Sequence, residues 1–562
     1  MKTNFKKISL WASNKKPKKP QNLITLRLVA DIYAGEECLK LVEFTTSAGE
    51  VVQRQIKAEA FDSPTELRRK LAGYGANLRG FAEQEGLASP KDAVQALQDQ
   101  QAEKSLLGVK SFGWQTKGIC YVAPTRSIGH DRDHYWSALS SITPEGTLEG
   151  WQEAVQKAMR YSPPMTLVVG AALSAVLLRF VDSDNRIIML TGPSSIGKTS
   201  LLRVAISPFS SPAKDLLKSW HGTEPALSEY LARQHDLPTA MDEIAALGNT
   251  PDEIAKKLLA IVYLFANSSG KSRHSKSGYA EEVKRTVILS SYELSVPPER
   301  MGQAVRLLNV PVFMGQEGLG IFTKLPKGYN SGAEFQDACM SAISANYGHA
   351  GPAFVKYVAR KLHKMGESHF TALVRKYVAA VHGRWGTNKD GLERRMADSF
   401  ALAEVALKMA IKADILPGVD PAMVEKHLNR TYRTMRKAVD EDRRKVEQVL
   451  AQFAAYLETK KKVCRKTMCD KRDFRDVKVL YQDKAEGRYF IRKATLDAWL
   501  AKHSTVPVHQ VKEKIEEYFI PEKKRKSKTV TCRLAPWDGQ SCYRISGQFL
   551  KNYGQKPTKT KG

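Results

Sequence analysis

The chain of 562 residues is long enough for about three or four domains of ordinary size. Its 88 Lys and Arg residues against 59 Asp and Glu residues give a formal net charge of +29, which favours an anionic partner. Nucleic acid is the first candidate for that partner, and a membrane surface is the second. The seven cysteines are few, odd in number and scattered, which argues against a disulfide framework. We therefore expect a protein of a reducing compartment, the cytoplasm.

No segment has the pattern of an export signal or a membrane anchor. Residues 1–21 are basic, and the apolar stretch at residues 8–12 is shorter than the roughly seven to fifteen apolar residues of a signal sequence. We predict a disordered tail there. The one long apolar run, residues 165–178, falls short of the ~20 residues that span a bilayer. It predicts a buried helix, and we expect no membrane partner.

Residues 22–150 have the pattern of an N-terminal α+β domain. Three β-rich runs come first, and helical patterns follow from Pro64 to Glu103. A further pair of strands is predicted within SFGWQTKGICYVAP. The three β-rich runs are NLITLRLVADIY, CLKLVEFTT and EVVQRQIKAEAF.

Residues 151–325 alternate apolar runs with helical patterns, and the segment GPSSIGKT among them matches a phosphate-binding loop, so we expect a P-loop ATPase core there. The runs RIIML, LPTAM and RTVILSS lie far enough apart for crossover helices between them, and VRLLNVPVFM follows. This spacing predicts a parallel α/β sheet. Pro238 and Thr239 weaken the middle strand, since a central strand seldom tolerates proline.

The remaining residues divide into a helical domain, 326–458, and a basic C-terminal region, 459–562. From residue 332 to about 457 helical periodicity is broken only near 386–388 and 417–418, which predicts a bundle. The last hundred residues contain the helical patterns KATLDAWLAKH and VHQVKEKIEEY. A hairpin with its turn at Asp538 and Gly539 comes next. Two helices followed by a hairpin is the order of a winged helix.

The stretch GPSSIGKT matches the P-loop pattern G-x-x-x-x-G-K-[ST]. An apolar strand precedes it and a helix begins after it, so the helix N-terminus faces a bound anion. Lys198 is expected to reach the terminal phosphates of ATP, and Thr199 to ligate Mg²⁺. The predicted nucleotide-binding residues are Gly192, Pro193, Ser194, Ser195, Ile196, Gly197, Lys198, Thr199 and Ser200.

A P-loop enzyme also needs a second metal carboxylate and a base that orients water. The segment LPTAMDEIAAL supplies Asp242 for Mg²⁺ and Glu243 for water. At the end of the next strand Ser290, Ser291 or Tyr292 could touch the attacking water, and Ser291 is our candidate. Arg306 is the candidate arginine finger, with Arg300 as its rival.

Several strings, taken in their order, resemble the domain of unknown function 927 family. The family occurs in prophages and mobile elements, and it includes cassette-chromosome replication helicases related to minichromosome-maintenance AAA+ ATPases. The resemblance covers about residues 22–440. Residues 290–293 read SSYE where the family usually has STGE. The strings are GPSSIGKTSLLRVA, SWHGTEPAL, MDEI, LFANSSGKSRHSKSG, ILSSYE, GQAVRLLNVPV and NYGHAGPAF.

The resemblance implies a hexameric ring that translocates on DNA. In related ring helicases a hairpin at this point of the fold projects into the central channel, where its cations meet the phosphate backbone of DNA. In this chain the corresponding segment is residues 267–278. The alternative is an ordinary flexible basic loop. The candidate DNA contacts are Lys271, Arg273, His274 and Lys276. Basic clusters at 459–475 and 522–528 are either further DNA contacts or solvated faces.

We therefore expect an α/β, AAA+-like ATPase that uses ATP and Mg²⁺. It would act as a DNA helicase or replication initiator of a prophage or mobile element, on single-stranded or forked DNA. A primase or another element-encoded replication protein is a candidate partner. The first alternative is a DNA-binding ATPase switch without processive unwinding. The second is a P-loop small-molecule kinase, which the net charge of +29 disfavours.

Overall fold

The computed structural model describes most of residues 23–554 and divides the chain into two compact units. One unit comprises residues up to Lys110 together with Asp133–Ser137, and the other comprises Ser111–Arg132 and residues from Ala138 onwards. The predicted tail, 1–21, lies outside the described residues. Within 23–554 the positions not described are 35–36, 116, 138, 140–141, 182–185, 214–215, 267–284, 294–305, 313–317, 389, 464–476, 483–486, 507, 522–528 and 532–540.

The described strands are β1 (Leu26–Ala34), β2 (Glu37–Thr45), β3 (Val51–Lys57), β4 (Lys104–Gly108), β5 (Gly113–Trp114), β6 (Tyr121–Val122), β7 (Ser127–Ile128), β8 (Tyr135–Trp136), β9 (Arg186–Thr191), β10 (Leu217–Ser219), β11 (Pro238–Asp242), β12 (Val287–Tyr292), β13 (Leu307–Pro311), β14 (Lys461–Val463), β15 (Val479–Gln482), β16 (Arg488–Arg492), β17 (Val530–Thr531) and β18 (Ser541–Ser546). Short 3-10 helices cover Ala58–Asp62, Arg132–His134, Ala175–Phe180 and Ile244–Leu247.

The described α-helices are α1 (Pro64–Gly73), α2 (Leu78–Glu85), α3 (Pro90–Gln98), α4 (Leu148–Tyr161), α5 (Pro163–Ser174), α6 (Lys198–Ile206), α7 (Glu224–Arg233), α8 (Pro251–Ala266), α9 (Gly332–Ser344), α10 (Ala350–Met365), α11 (Glu367–Trp385), α12 (Gly391–Lys412), α13 (Pro421–Lys460), α14 (Lys493–His503), α15 (Val508–Glu516) and α16 (Gln548–Tyr553).

The first unit has an α+β arrangement, and apart from Asp133–Ser137 it ends at Lys110. Its five-stranded sheet has the order β3-β2-β1-β4-β8, antiparallel from β3 to β1 and parallel from β1 to β8. Helices α1 to α3 pack over the sheet residues Leu28, Val42 and Phe44. Helix α1 begins where predicted, because Ser63 accepts a hydrogen bond from the Glu66 amide and Pro64 occupies the first turn. Strand β4, after the helices, was not predicted.

The second unit contains the predicted parallel sheet. Its order is β10-β11-β12-β9-β13, and every neighbouring pair is parallel. Ile187 and Met189 of β9 face α7 and α8 within one apolar cluster, whereas Ile188 and Leu190 are equally buried on the other face, where α5 and α6 pack. Both faces are therefore covered, which explains the continuous apolar runs in the sequence.

Two further predictions near this sheet are resolved. Pro238 is the first residue of β11, a position where a strand accepts proline. The predicted strand pair in SFGWQTKGICYVAP is present as β5 and β6, joined by β7 in a three-stranded sheet. Strand β10 was not predicted, because its three residues are too short to show a period.

Helix α5 lies at the centre of this unit. All twelve of its residues are buried, as predicted for the apolar run, and it packs against α6, α12 and α13. Within the described residues, Pro163–Phe180 is the one stretch that is long and apolar enough to cross a membrane by composition, and 94% of that window is buried inside the protein. Its hydropathy is therefore that of a core helix.

The region after the sheet is helical, but the prediction of only two breaks was wrong. Helices α11, α12 and α13 are separated at the predicted positions. A further break follows Ser344, and another falls at Gly366, whose φ of 76° ends α10. Helical periodicity did not reveal these breaks because the apolar pattern continues on both sides of each one.

The C-terminal region contains a sheet that the sequence only partly predicted. Helices α14 and α15 precede β17 and β18, in the predicted order, and β17 pairs with β18 in antiparallel fashion. The predicted turn at Asp538 and Gly539 lies outside the described residues. Three strands before α14 extend the sheet to the order β14-β15-β16-β18-β17. The end of α13, from Val449 to Leu457, packs into the apolar cluster of this region.

Candidate nucleotide site

The P-loop, residues 192–199, connects the carboxyl end of β9 to the first turn of α6. Gly197 has a φ of 104°, and a Cβ at that position would lie 2.0 Å from Oε1 of Gln336. Only glycine fits such a conformation at such a close approach. Gly197 is also the residue before α6 and provides no side-chain cap. The first amide groups of α6 therefore remain available to an anion.

The Lys198 ammonium group is hydrogen-bonded to the backbone of the P-loop itself. Its Nζ donates hydrogen bonds to the carbonyl oxygens of Gly192 at 2.8 Å and Pro193 at 2.6 Å. Burial lowers the pKa of Lys198, and the charges of Glu293 and Asp242 act in the opposite direction. The cation is therefore held at the mouth of the loop, beside two carboxylates.

Asp242, at the end of β11, is oriented by two hydroxyl groups from two other elements. Thr199 Oγ1 of α6 donates to Asp242 Oδ2 at 2.9 Å, and Ser291 Oγ of β12 donates to Oδ1 at 2.5 Å. Hydroxyl and carboxylate oxygens are the hard ligands that Mg²⁺ prefers, and Mg²⁺ usually takes only a few of them from protein. Thr199 and Asp242 therefore fit the metal role predicted for them.

Glu243 follows Asp242 in a left-handed backbone conformation, with a φ of 57°. A non-glycine residue in this region is strained, and such strain occurs often at functional sites. The Glu243 side chain is exposed, and among the described residues it accepts no side-chain hydrogen bond. Its carboxylate is therefore available to a water molecule in the cavity.

These residues line one cavity of about 540 Å³ at the carboxyl end of the sheet. Glu293 borders it and accepts a hydrogen bond from Ser194 Oγ of the P-loop. The register of the parallel strands explains the convergence, because Ser291 of β12 lies beside Leu190, next to the end of β9. The lining residues are Ser194, Ser195, Gly197, Lys198, Thr199, Ser200, Asp242, Glu243, Ile244, Ala245, Ser291, Tyr292, Glu293 and Gln336.

The sequence did not indicate the roles of Gln336, which lines the cavity, and Trp220, which contacts β12 beside it. Gln336 of α9 donates from Nε2 to Ser200 Oγ at 3.0 Å and borders Gly197. Trp220, fully buried after β10, donates from Nε1 to Ser290 Oγ at 2.9 Å, and Ser290 donates in turn to the Met241 carbonyl oxygen at 2.7 Å. Trp220 belongs to the string SWHGTEPAL, which is part of the family resemblance, but no pattern in the sequence indicated its hydrogen bond to Ser290.

The structure does not bring Arg306 to this cavity within one chain. Arg306 comes immediately before β13, and its carbonyl oxygen accepts from the Ile187 amide at 2.8 Å. Parallel strands begin at the same edge, so Arg306 lies roughly 17 Å from the P-loop edge at about 3.3 Å per residue. Its rival Arg300 and the predicted DNA contacts Lys271, Arg273, His274 and Lys276 lie outside the described residues.

A comparison with protein families confirms the resemblance predicted from the sequence. Residues 24–285 match the family described as Domain of unknown function (DUF927). The matched segment includes the P-loop, Asp242 and Glu243, and it ends just before β12. It is shorter than the predicted coverage. No curated protein matches the chain.

A solved structure titled "SCCmec type IV Cch - active helicase" has the same overall fold. The TM-score is 0.59 at 17% sequence identity, and the match covers 95% of this chain and 95% of that chain. Two structures titled as forms of the NrS-1 C-terminal region match with TM-scores of 0.27 and 0.26, at 9% and 10% identity. The first covers 68% of this chain and 87% of that chain, and the second covers 73% and 92%.

Proposed function

We propose that the chain is an ATPase whose hydrolysis of ATP drives movement on DNA. The observation that carries the ATPase proposal is the convergence of Lys198, Thr199, Asp242 and Ser291 at one edge of a parallel sheet. Four polar side chains from three separate elements meet beside a helix N-terminus with free amide groups. This arrangement suits a triphosphate and a divalent cation.

Each residue has a distinct role in this proposal. The P-loop amide groups hold the phosphates of ATP, and Lys198 leaves its two carbonyl partners to contact the terminal phosphates. Thr199 and Asp242 would hold Mg²⁺, which when bound would neutralise charge on the phosphates. Glu243 orients and deprotonates the attacking water, and Ser291 positions Asp242.

The proposal that the core is of the AAA+ type rests on the strand order and the shared fold. Strand β12, with Ser291, lies between the P-loop strand β9 and the Asp242 strand β11. Ser291 can therefore contact both the metal carboxylate and a terminal phosphate. The similarity in fold to a structure titled as an active helicase supports the same assignment.

We further propose that DNA is the partner and that the active form is a ring, hexameric by analogy with ring ATPases. The net charge of +29 supports a polyanionic partner. Arg306, remote from the P-loop of its own chain, suits a finger that acts across a subunit boundary. The C-terminal region with α14, α15, β17 and β18 is a candidate winged helix, and the cytoplasm of a cell that carries a mobile element is the proposed location.

The first experiment measures ATP hydrolysis with Mg²⁺ by the purified chain and its Lys198→Ala variant. We expect hydrolysis that Lys198→Ala abolishes, because Lys198 carries the one positively charged side chain among the described residues that line the cavity. Lys257→Ala, at an exposed lysine of α8 outside the cavity, is the matched control and should retain activity. Equal turnover by parent and Lys198→Ala would exclude this P-loop as the ATPase site.

A second experiment separates the helicase from its two alternatives. Strand displacement on a forked duplex, together with ATPase stimulated by single-stranded DNA, supports a helicase. Stimulation without displacement at any protein concentration supports a DNA-binding switch. ATP consumption that responds to a small-molecule acceptor and not to DNA supports a kinase.

A further inference from the structure

The exposed face of α13 carries a row of four cations that the nucleotide site does not use. Lys426, Arg430, Arg433 and Lys437, here named the basic stripe, are all exposed. Their spacings of four, three and four residues place them within about 60° of one another on the helix, at 100° per residue. The opposite face, with Val424, Leu428, Thr431, Tyr432 and Met435, is buried.

The charges of the basic stripe are almost uncompensated. Among the described residues Lys426 and Arg430 form no ion pair, and Arg433 donates only to Asn429 Oδ1, at 2.7 Å. Lys437 Nζ lies 3.8 Å from Glu441, and both side chains are at least half exposed, so the pair contributes little.

The neighbouring carboxylate Glu425 does not neutralise the basic stripe, because other cations already hold it. Arg384 Nε lies 3.0 Å from Glu425 Oε1, and Lys408 Nζ lies 3.2 Å from Oε2. The charge of the stripe also affects a half-buried neighbour, since burial, Arg430 and Lys426 together lower the pKa of His427 to about 4. A positive potential therefore persists at this surface.

We propose that the basic stripe binds the phosphate backbone of nucleic acid, independently of base sequence. The four residues span about 16 Å at 1.5 Å per residue, a length of duplex axis along which one strand carries about five phosphates, at 3.4 Å of axis each. Flexible cations without fixed partners contact phosphates but do not read bases. Each contact releases counterions, which supplies the binding free energy.

An anionic membrane is the other surface that attracts cations, and the neighbours of the stripe disfavour it. A membrane-bound helix inserts exposed apolar side chains beside its cations. Here Asn429 and Thr434 flank the stripe, and the apolar side of α13 is already covered by protein. Nucleic acid needs no apolar insertion.

This surface lies on a different element from the nucleotide site and its function does not depend on ATP. The two proposals can therefore fail separately. Hydrolysis of ATP without DNA tests the nucleotide site, and DNA binding without nucleotide tests the basic stripe.

The test is the salt dependence of binding to a fluorescein-labelled oligodeoxythymidine, by anisotropy, without nucleotide. The variant replaces Lys426, Arg430, Arg433 and Lys437 with glutamine, which keeps the side-chain length and helix propensity. We expect the slope of log affinity against log salt to become shallower by up to about three. An unchanged slope overturns the proposal.

A matched control removes four cations from another exposed helix, α10. It replaces Lys356, Arg360, Lys361 and Lys364 with glutamine, so that the net charge changes equally. An equal loss of slope in both variants overturns the proposal, because net charge alone would then explain binding. Basal ATP hydrolysis should be the same in the parent and in the stripe variant.

Two further measurements keep the test decisive. If the fourfold variant does not fold, Arg430→Glu alone reverses one exposed charge, and an unchanged slope in that variant overturns the proposal. Vesicles of phosphatidylserine and phosphatidylcholine provide the membrane arm. Loss of vesicle binding with retained DNA binding assigns the stripe to a membrane and also overturns the proposal.

Discussion

At the carboxyl edge of the central sheet the charged groups have defined hydrogen-bond partners, whereas on the exposed face of α13 four cations have almost none. Asp242 is held by Thr199 and Ser291, and Lys198 by two loop carbonyls. The first region is preorganised, as a reaction centre requires, because reacting atoms must be held within a fraction of an ångström. The second has exposed cations with few fixed partners, which suffices for a polymer of phosphates.

The largest effect expected within this comparison comes from Glu243→Gln. The change keeps the size of the side chain and removes its basicity, so kcat should fall by roughly 10² to 10⁴ while ATP affinity changes little. Single-turnover hydrolysis and fluorescent-nucleotide binding measure the two quantities. Glu293→Gln, at the other glutamate of the cavity, is the control and should cost much less. The opposite ranking would identify Glu293 as the base.

A substitution at Gly197 tests how closely the P-loop is enclosed. Gly197→Ala places a methyl group 2.0 Å from Gln336 Oε1 at a φ of 104°, so we expect at least about tenfold weaker nucleotide binding. Gly391→Ala, at a glycine with nothing within 4 Å, is the control. Adding Gln336→Ala should restore binding only in part, since the backbone strain remains. Complete recovery would show that the steric clash alone caused the loss.

Two adjacent serines of β12 offer a smaller and sharper test. Ser291→Ala removes the hydroxyl that orients Asp242, so we expect a several-fold lower kcat or weaker half-saturation by Mg²⁺, with little change in Tm. Ser290→Ala leaves the buried Trp220 N–H without its partner, at a cost of about 1–3 kcal/mol of stability, and should change kcat little. The same response from both variants would contradict the separate roles assigned to them.

The structure brings the predicted residues Lys198, Asp242, Glu243 and Ser291 to one cavity, and their positions in the sequence follow local rules. Phosphate cradles require glycines and a lysine at fixed offsets, and Asp242 and Glu243 end an apolar run where a parallel strand must end. The order of the strands in the sheet was not predicted, because an apolar run in the sequence does not indicate which strands it pairs with. Gln336 and Trp220 were missed for the same reason, because each contacts residues more than sixty positions away.

The basic stripe was also not predicted from the sequence. Polar and apolar residues lie between its four cations in the sequence of α13. Only the burial of the opposite face shows that the cations share one exposed face. The clusters at 459–475 and 522–528 were identified from the sequence because their charges are contiguous. Contiguity in sequence and proximity on a helix face are different properties, and the second depends on period 3.6 and on packing.

The smallest effect expected concerns His427, a half-buried residue of α13 whose pKa responds to the charge of the basic stripe. Its pKa of about 4 is below the ordinary 6.5, first because of burial and then because of Arg430 and Lys426. An unfolded chain binds more protons in this range, so stability is full above pH 6.5 and is lost as the pH falls toward 4. Tm should therefore fall on acidification from 6.5 to 4, and His427→Gln should reduce that fall.

The link to the stripe is tested by titrating His427 by NMR in a variant with Lys426→Gln and Arg430→Gln. Removal of two nearby cations should raise the pKa of His427, because the charged imidazolium then meets less repulsion. The pKa should nevertheless stay below 6.5, since burial, the largest cause of the lowered pKa, is unchanged. Added salt should raise the parent's pKa as well, and it should have a weaker effect on the variant. The same pKa of His427 in both proteins would show that burial alone sets it, and that solvent screens the charges of Lys426 and Arg430 from the imidazole.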